Sequence, residues 1–144
     1  GDLRSKGLDV DVNTDLGGRT ALIVNYGFSA PIFADFGANT GHAPQFVPRH
    51  TANVWVRKDW ASGFNVAGGG RRVGAQFASN ANTTTLEGYT TVSAAVGYRT
   101  SRWEWQLNAE NLFNEKDYFL PGHFSNLVFP GAPINVMTTF RLKY

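Results

Sequence analysis

The sequence predicts an all-β fold, an antiparallel sheet of about seven strands. Apolar and polar residues alternate with a period of two, and clusters rich in glycine, serine, asparagine and proline separate the alternating segments. The 144 residues include 16 glycines, and 14% of them are aromatic. No apolar run reaches the ~18 residues of a transmembrane helix, which excludes a helical membrane protein.

Seven segments carry the alternation. They cover about residues 4–15, 19–32, 51–60, 64–79 and 89–99, then the stretch from about 102, and finally about 133–144. In the first three, Val10, Val24 and Val54 belong to apolar faces, and "DLGGR" supplies a tight turn after the first. The glycines of "AGGGRRVG" leave the phase of the fourth open and indicate a bulge or a close backbone contact. "YTTVSAAVGY", "WEWQLNAE" and "INVMTTFRLKY" complete the set with regular alternation.

Charge and cysteine content exclude several function classes. Thirteen Lys and Arg against eleven Asp and Glu leave a net charge of +2, which is too small and too dispersed for a nucleic-acid partner. The chain has no cysteine, so disulfides, thiolate metal sites and a cysteine nucleophile are absent. It opens on "GDLRSKG" without a Met or a signal-peptide pattern, so we expect that a segment was removed or that the chain is a piece.

Alternation alone fits both a soluble sandwich and a transmembrane barrel. Three features favour the barrel. Most segments reach the ~10 residues that cross a bilayer at a tilt, and short connections alternate with long ones. Aromatic residues also lie beside the short turns, as in an interfacial girdle. These are Trp60, Phe64, Tyr98, Trp103 and Tyr144.

An odd number of strands indicates part of a larger barrel. If the short turns are periplasmic, the seventh strand ends there and residue 1 lies on the extracellular side, whereas complete bacterial barrels have an even strand number. Seven strands would also leave open edges that pair with other chains. A barrel built from several chains is the alternative.

Five segments resemble, in order, the end of a TonB-dependent outer-membrane receptor. They are "LRSKGLDVDV", "FVPRHTANVWVRKDW", "LEGYTTVSAAVGY", "LNAENLFNEKDYF" and "PGAPINVMTTFRLKY". Two positions depart from the family pattern: Ile134 stands where arginine is frequent, and Arg72 where an aromatic is common.

The resemblance implies that residues 1–144 form the C-terminal part of a barrel of about 22 strands in the bacterial outer membrane. The plug domain and the segment that engages TonB would be absent from this chain. The implied activity is gated uptake of a ferric siderophore without enzymatic chemistry, and the fragment alone would not transport. A receptor for cobalamin or a glycan is one alternative, and a passive porin-like barrel is another.

Candidate ligand contacts lie in the predicted extracellular loops. Stacking rings and an arginine suit ferric siderophores, which are often anionic or aromatic. The candidates are Phe46, Arg49, Tyr118, Phe119, His123 and Phe124. Packing of the loops against one another is the alternative, and it is the commoner role of loop aromatics.

The remaining polar residues point to structural roles. We expect His42, His50 and His123 to be structural or solvated, as lone loop histidines usually are; their separation in the sequence neither supports nor excludes converging metal ligands. No nucleophile motif supports a barrel hydrolase, and no metal or cofactor is expected. Charged residues of both signs on the luminal face are expected to meet the plug. They are Asp9, Asp11, Arg57, Asp59, Arg71, Arg99, Glu104, Glu110, Arg141 and Lys143. By the same resemblance, Phe140, Leu142 and Tyr144 would be read by the barrel-assembly machinery.

Overall fold

A computed structural model describes residues 1–116, 118–121 and 127–143 of the chain. Within these ranges the structure is almost entirely strand and loop, with one 3-10 turn at Gly37–Asn39. In chain order the strands are β1 (Asp2–Arg4), β2 (Gly7–Asp15), β3 (Thr20–Ser29), β4 (Ile32–Asp35), β5 (His50–Asp59), β6 (Phe64–Val73), β7 (Gln76–Phe77), β8 (Thr85–Leu86), β9 (Tyr89–Arg99), β10 (Trp103–Glu110), β11 (Phe119–Pro121), β12 (Val128–Pro130) and β13 (Asn135–Leu142). In the described ranges, no helix has the length and apolar character to span a membrane.

Seven long strands form one antiparallel sheet, which confirms the predicted architecture. Their order is β2-β3-β5-β6-β9-β10-β13, so each pairs with its neighbours along the chain. Three tight turns, at residues 16–19, 60–63 and 100–102, join successive pairs at one end. At the opposite end the connections are long, and β2 and β13 are each paired on one side only.

The long connections contain short hairpins of their own. β4 pairs with β1 and extends the β2–β3 hairpin, while β7 pairs with β8 and β11 with β12. Several predicted strands were therefore too long; the first, for example, begins at Gly7 and not near residue 4. The second ends at Ser29, since Pro31 has no N–H to continue a ladder. The fourth ends at Val73, after which the Gly74 N–H donates to the His50 carbonyl and the chain leaves the sheet.

The register places one apolar and one polar set of side chains on opposite faces. Val12, Val24 and Val54 lie in one row across β2, β3 and β5. That row continues through Gly70 to Val92, which settles the phase of the glycine-rich strand. The aliphatic face is therefore the one predicted to meet lipid, and the face with the charged side chains is the predicted luminal face.

Aromatic side chains meet at the short-turn end, as the girdle prediction requires. The rings of Trp60 and Phe64 lie 5.4 Å apart, centroid to centroid. Trp103 contacts Tyr98 at 5.5 Å and Phe140 at 5.7 Å. Such rings suit the headgroup level of a bilayer. The predicted girdle member Tyr144 lies outside the described residues.

Buried side chains are few and gather at the long-loop end. Val73, Tyr89 and Tyr118 form the buried apolar cluster. The broad apolar face of the sheet stays exposed; Val10, Val54 and Phe140, for example, are 41%, 43% and 61% exposed. A wall that meets lipid on one side needs no apolar core of its own, and this sheet is built accordingly.

Candidate luminal ligand-binding site

A cavity of about 330 Å³ opens on the luminal face, toward the extracellular end of the sheet. Its floor comes from three neighbouring strands. Asn53 and Trp55 project from β5, Arg71 from β6, and Thr91 and Ser93 from β9. All five occupy luminal positions because the period of two keeps each strand in phase with its partners.

Trp55 lies flat on the wall of this cavity because the residue beside it is a glycine. A Cβ built on Gly69 would lie 2.6 Å from Cε3 of the Trp55 ring and would also clash with the Val54 carbonyl oxygen. The two residues are directly paired across β5 and β6. A glycine is therefore needed at position 69, because any side chain there would occupy the space of the Trp55 indole on the luminal surface.

The upper wall is a loop organised by Asn111. This side chain is 4% exposed and makes three hydrogen bonds within the part of the chain that the structure describes. Its Nδ2 donates to the carbonyls of Glu115 at 2.9 Å and Ala132 at 2.8 Å, and its Oδ1 accepts from the Glu115 N–H at 2.8 Å. Asn111 adopts φ +50°, a left-handed conformation that asparagine tolerates better than most residues. Asn111, the first residue of the "NLFN" segment, thus holds the loop over the cavity.

Tyr118 completes the upper wall and is held on three sides. It is 6% exposed, stacks on Tyr89 with a centroid distance of 4.3 Å, and donates its hydroxyl to the Ala132 carbonyl at 3.0 Å. Its ring occupies the space where a side chain at Gly131 would lie. Tyr118 therefore contributes a rigid aromatic surface to the cavity.

Two charged side chains line the cavity without a neutralising partner. Arg71 and Glu110 are both exposed, and neither forms an ion pair within the described ranges. A free guanidinium offers several donors to an anionic oxygen, and an indole beside it offers a stacking surface. The cavity is therefore equipped to bind an anionic or aromatic ligand.

The predicted loop residues are distributed over more than one place. Tyr118 lines the luminal cavity, whereas Arg49 lines a separate cavity of about 290 Å³ between two loops, together with Val47 and Phe77. Phe46 is half-buried beside it, and its N–H donates to the Phe77 carbonyl at 2.8 Å. Phe119 is 42% exposed and pairs with Pro130 in the β11–β12 hairpin. The two other candidates, His123 and Phe124, lie outside the described residues.

The described histidines have structural partners. His42 Nδ1 lies 3.1 Å from the Asn80 carbonyl oxygen, where it ties two long loops together. His50 Nδ1 lies 2.8 Å from the hydroxyl of Tyr26. In the ranges that the structure describes, no cluster of three or more His, Asp or Glu side chains could hold a metal ion.

Nearer the short turns, the luminal wall carries a network of ion pairs. Arg57 and Asp59 form a two-point contact at 2.7 and 2.8 Å. Glu104 lies 3.1 Å from Arg99, 3.7 Å from Arg141 and 4.0 Å from Lys143. Six of the predicted luminal charges therefore contact one another in two groups, one within β5 and one that joins β9, β10 and the end of β13.

Sequence reasoning assigned Arg71 to the luminal face but did not predict the cavity. A signal was present, since luminal polar or aromatic positions recur at similar heights in three successive strands. Trp55 pairs with Gly69, and Gly69 with Ser93. Counting residues back from the long loops would have aligned them, although the loop that covers them is a tertiary feature.

A family model described as "TonB dependent receptor-like, beta-barrel" matches residues 1–112. Among curated proteins, the chain is 28% identical to the ferrioxamine receptor of Yersinia enterocolitica over 96% of its length and 21% of that protein. It is 24% identical to the ferrichrome outer membrane transporter/phage receptor of Escherichia coli K12, over 100% of its length and 20% of that protein. The chain thus spans about a fifth of these relatives.

Solved structures agree on the fold. The ferric-catecholate import receptor Fiu of E. coli K12 matches with a TM-score of 0.79 and 21% identity, over 97% of this chain and 21% of that one. The siderophore receptor PiuA of Acinetobacter baumannii matches with a TM-score of 0.83 and 16% identity, over 96% and 22%. The sheet is therefore a segment of an outer-membrane barrel wall. With the family model matching most of its length, the chain belongs to the TonB-dependent receptor β-barrel family.

Proposed function

We propose that this chain forms part of the wall and outer vestibule of a receptor that takes up a ferric siderophore across the outer membrane. The luminal cavity carries the proposal, because it sets an arginine that has no ion pair among the described residues beside an indole and a tyrosine ring. Two relatives are named a ferrioxamine receptor and a ferrichrome transporter, which supports this ligand class. Transport would proceed by binding and gating, without covalent chemistry.

Binding and uptake of ferric siderophores by cells that make the full-length protein test this proposal. We expect Arg71→Gln to weaken binding of ferrioxamine or ferrichrome about 10- to 100-fold, because a charge-assisted hydrogen bond contributes ~1.5–3 kcal/mol. Arg72→Gln is the matched control, since it removes the same charge one residue away on the opposite face. Unchanged binding in both Arg71→Gln and Trp55→Ala would contradict a role for the cavity.

The same assay separates the alternative ligands. Labelled cobalamin and a short glycan can be offered in place of the ferric siderophores, with energised and de-energised cells compared. Saturable, energy-dependent uptake supports a receptor, and the preferred compound identifies its ligand class. Uptake that is neither saturable nor energy-dependent would indicate a passive porin-like barrel instead.

We also propose that the luminal ion-pair network around Glu104 faces a plug domain supplied by another part of the full-length protein. Four cations against two carboxylates leave this region basic, which suits acidic or amide-rich partner segments. Engagement of TonB would then occur through that other part. Cross-linking from a cysteine at Thr139, which neighbours Arg141 on the luminal face, to plug segments in the full-length protein tests this contact.

The last strand is proposed to carry the signal for barrel assembly. Phe140 and Leu142 lie on the lipid face and are 61% and 58% exposed, so both are accessible to an assembly partner. The third predicted member, Tyr144, lies outside the described residues. Replacing Phe140 by Ser should lower the amount of folded receptor in the outer membrane, whereas replacing the luminal Thr139 by Ser should not.

A further inference from the structure

The lipid-facing side of the seven long strands carries two cations and no carboxylate, and all of these strand positions are described. Lys58 lies near the short turns of β5, and Arg72 lies one residue before the end of β6 at the long-loop end. Charged side chains on this face are unfavourable at the centre of a bilayer and tolerated near the headgroups. The two residues therefore mark the two interfaces.

The ammonium group of Lys58 has partners within the protein. Its Nζ donates to the Gly18 carbonyl at 2.5 Å and lies 5.9 Å from the centroid of the Trp60 ring. Arg72 differs, because its hydrogen bond in the structure goes to a neutral group, the hydroxyl of Thr90, at 3.2 Å. It forms no ion pair within the described ranges. Most of the guanidinium donors of Arg72 thus remain available at the outer interface.

An apolar groove of about 450 Å³ runs beside Arg72 on the same face. It exists because small residues interrupt the aliphatic surface: Gly70 of β6 and Ala52 of β5 lie between larger neighbours such as Val54 and Tyr26. The groove lies in the interior of the sheet, across β3, β5, β6 and β9, so the unpaired edge strands do not shape it.

One row of the ladder closes the upper end of the groove. Tyr26, Ala52, Arg72 and Thr90 are directly paired across four adjacent strands. With strands ~4.8 Å apart, the Tyr26 and Arg72 positions flank Ala52 at about 10 Å from each other. The Tyr26 hydroxyl is also held by His50 Nδ1 at 2.8 Å. The rim thus combines a cation and fixed hydroxyl groups above an apolar channel.

We propose that this groove binds a phosphate-bearing lipid of the outer leaflet. Its phosphate lies on Arg72 and the Tyr26 side of the rim, and one acyl chain lies along Gly70 and Val54. Charge complementarity selects an anionic headgroup, since the face offers a free cation and no carboxylate. The apolar channel selects a lipid over a soluble phosphate.

Native mass spectrometry of the full-length protein in mild detergent tests the proposal, with diphosphoryl lipid A as the probe. Arg72→Gln is expected to weaken lipid A binding about tenfold, as loss of one charge-assisted contact does. Lys58→Gln removes the same charge from the other interface and should leave binding unchanged. Inorganic phosphate should not compete, because it lacks an acyl chain.

A second matched pair tests the groove itself. Gly70→Val fills the channel, whereas Gly68→Val places the same side chain two residues away on the same face; a Cβ at either position meets its nearest neighbour at 3.6 Å. Binding should fall in Gly70→Val alone, with folding checked by heat-modifiable gel migration. Equal losses in Arg72→Gln and Lys58→Gln, competition by inorganic phosphate, or unchanged binding in Gly70→Val would each overturn the proposal.

Discussion

Removing the side chain of Asn111 should release the loop that covers the luminal cavity. Asn111→Ala deletes three hydrogen bonds to two backbone carbonyls and one backbone N–H, all between 2.8 and 2.9 Å. At ~1 kcal/mol for each bond, the local cost is about 3 kcal/mol. Since 1.4 kcal/mol corresponds to a factor of ten, opening of residues 111–116 should become about 100-fold more frequent.

Amide hydrogen exchange of the full-length protein measures this opening directly. A peptide that covers residues 108–116 should lose protection in Asn111→Ala, and protection in β9 should be unchanged. Asn111→Gly relieves the φ of +50° but still lacks the side chain, so it should also lose protection. Asn114→Ala is the control, because Asn114 has a similar φ of +51° and its side chain accepts one 3.2 Å bond from Ile134. If Asn111→Ala keeps full protection, or Asn114→Ala loses as much, the loop is not organised as we describe.

Two further substitutions test the wall. Gly69→Val should force apart the β5 backbone at Val54 and the indole of Trp55, so it should lower both the Tm of the barrel and the uptake of labelled ferrioxamine per folded receptor. Gly68→Val on the lipid face should change neither, and equal effects would contradict the packing argument. Glu104→Gln should lower the Tm of the barrel, because one carboxylate contacts three cations of neighbouring strands. Asp2→Asn breaks a single exposed pair at 3.9 Å and should leave the Tm unchanged; similar shifts in both would show that the network adds nothing.

The strands were predictable because each of their faces meets a different environment. Val10, Val24 and Val54 alternate with Asp11, Asn25 and Asn53 along β2, β3 and β5, and a period of two follows at once. The phase of strand β6 could not be predicted, because Gly68, Gly69 and Gly70 have no side chains whose polarity would distinguish the two faces. Its phase comes from its neighbours, through pairing with Val54 on one side and Val92 on the other.

The site was only partly predictable, because loops bring distant segments together. Tyr118 could be chosen as an aromatic residue of a long loop, but its stacking on Tyr89 depends on the Asn111 turn. Arg49 was grouped with it on loop position alone, yet the two line different cavities. Trp55 was visible as an aromatic on the luminal face, and its role became apparent only with Gly69 beneath it.

The most direct test of the central claim is ligand protection of a cysteine placed in the cavity. Thr91 lies on the luminal face and lines the cavity, while Thr90 beside it lies on the lipid face. In full-length protein without other cysteines, Thr91→Cys should react with a water-soluble maleimide, and saturating ferrioxamine or ferrichrome should slow that labelling, whereas labelling of Thr90→Cys should not respond to ligand. If none of the ligands that the cells take up slows the labelling of Thr91→Cys, the cavity is not the ligand site and the account is contradicted.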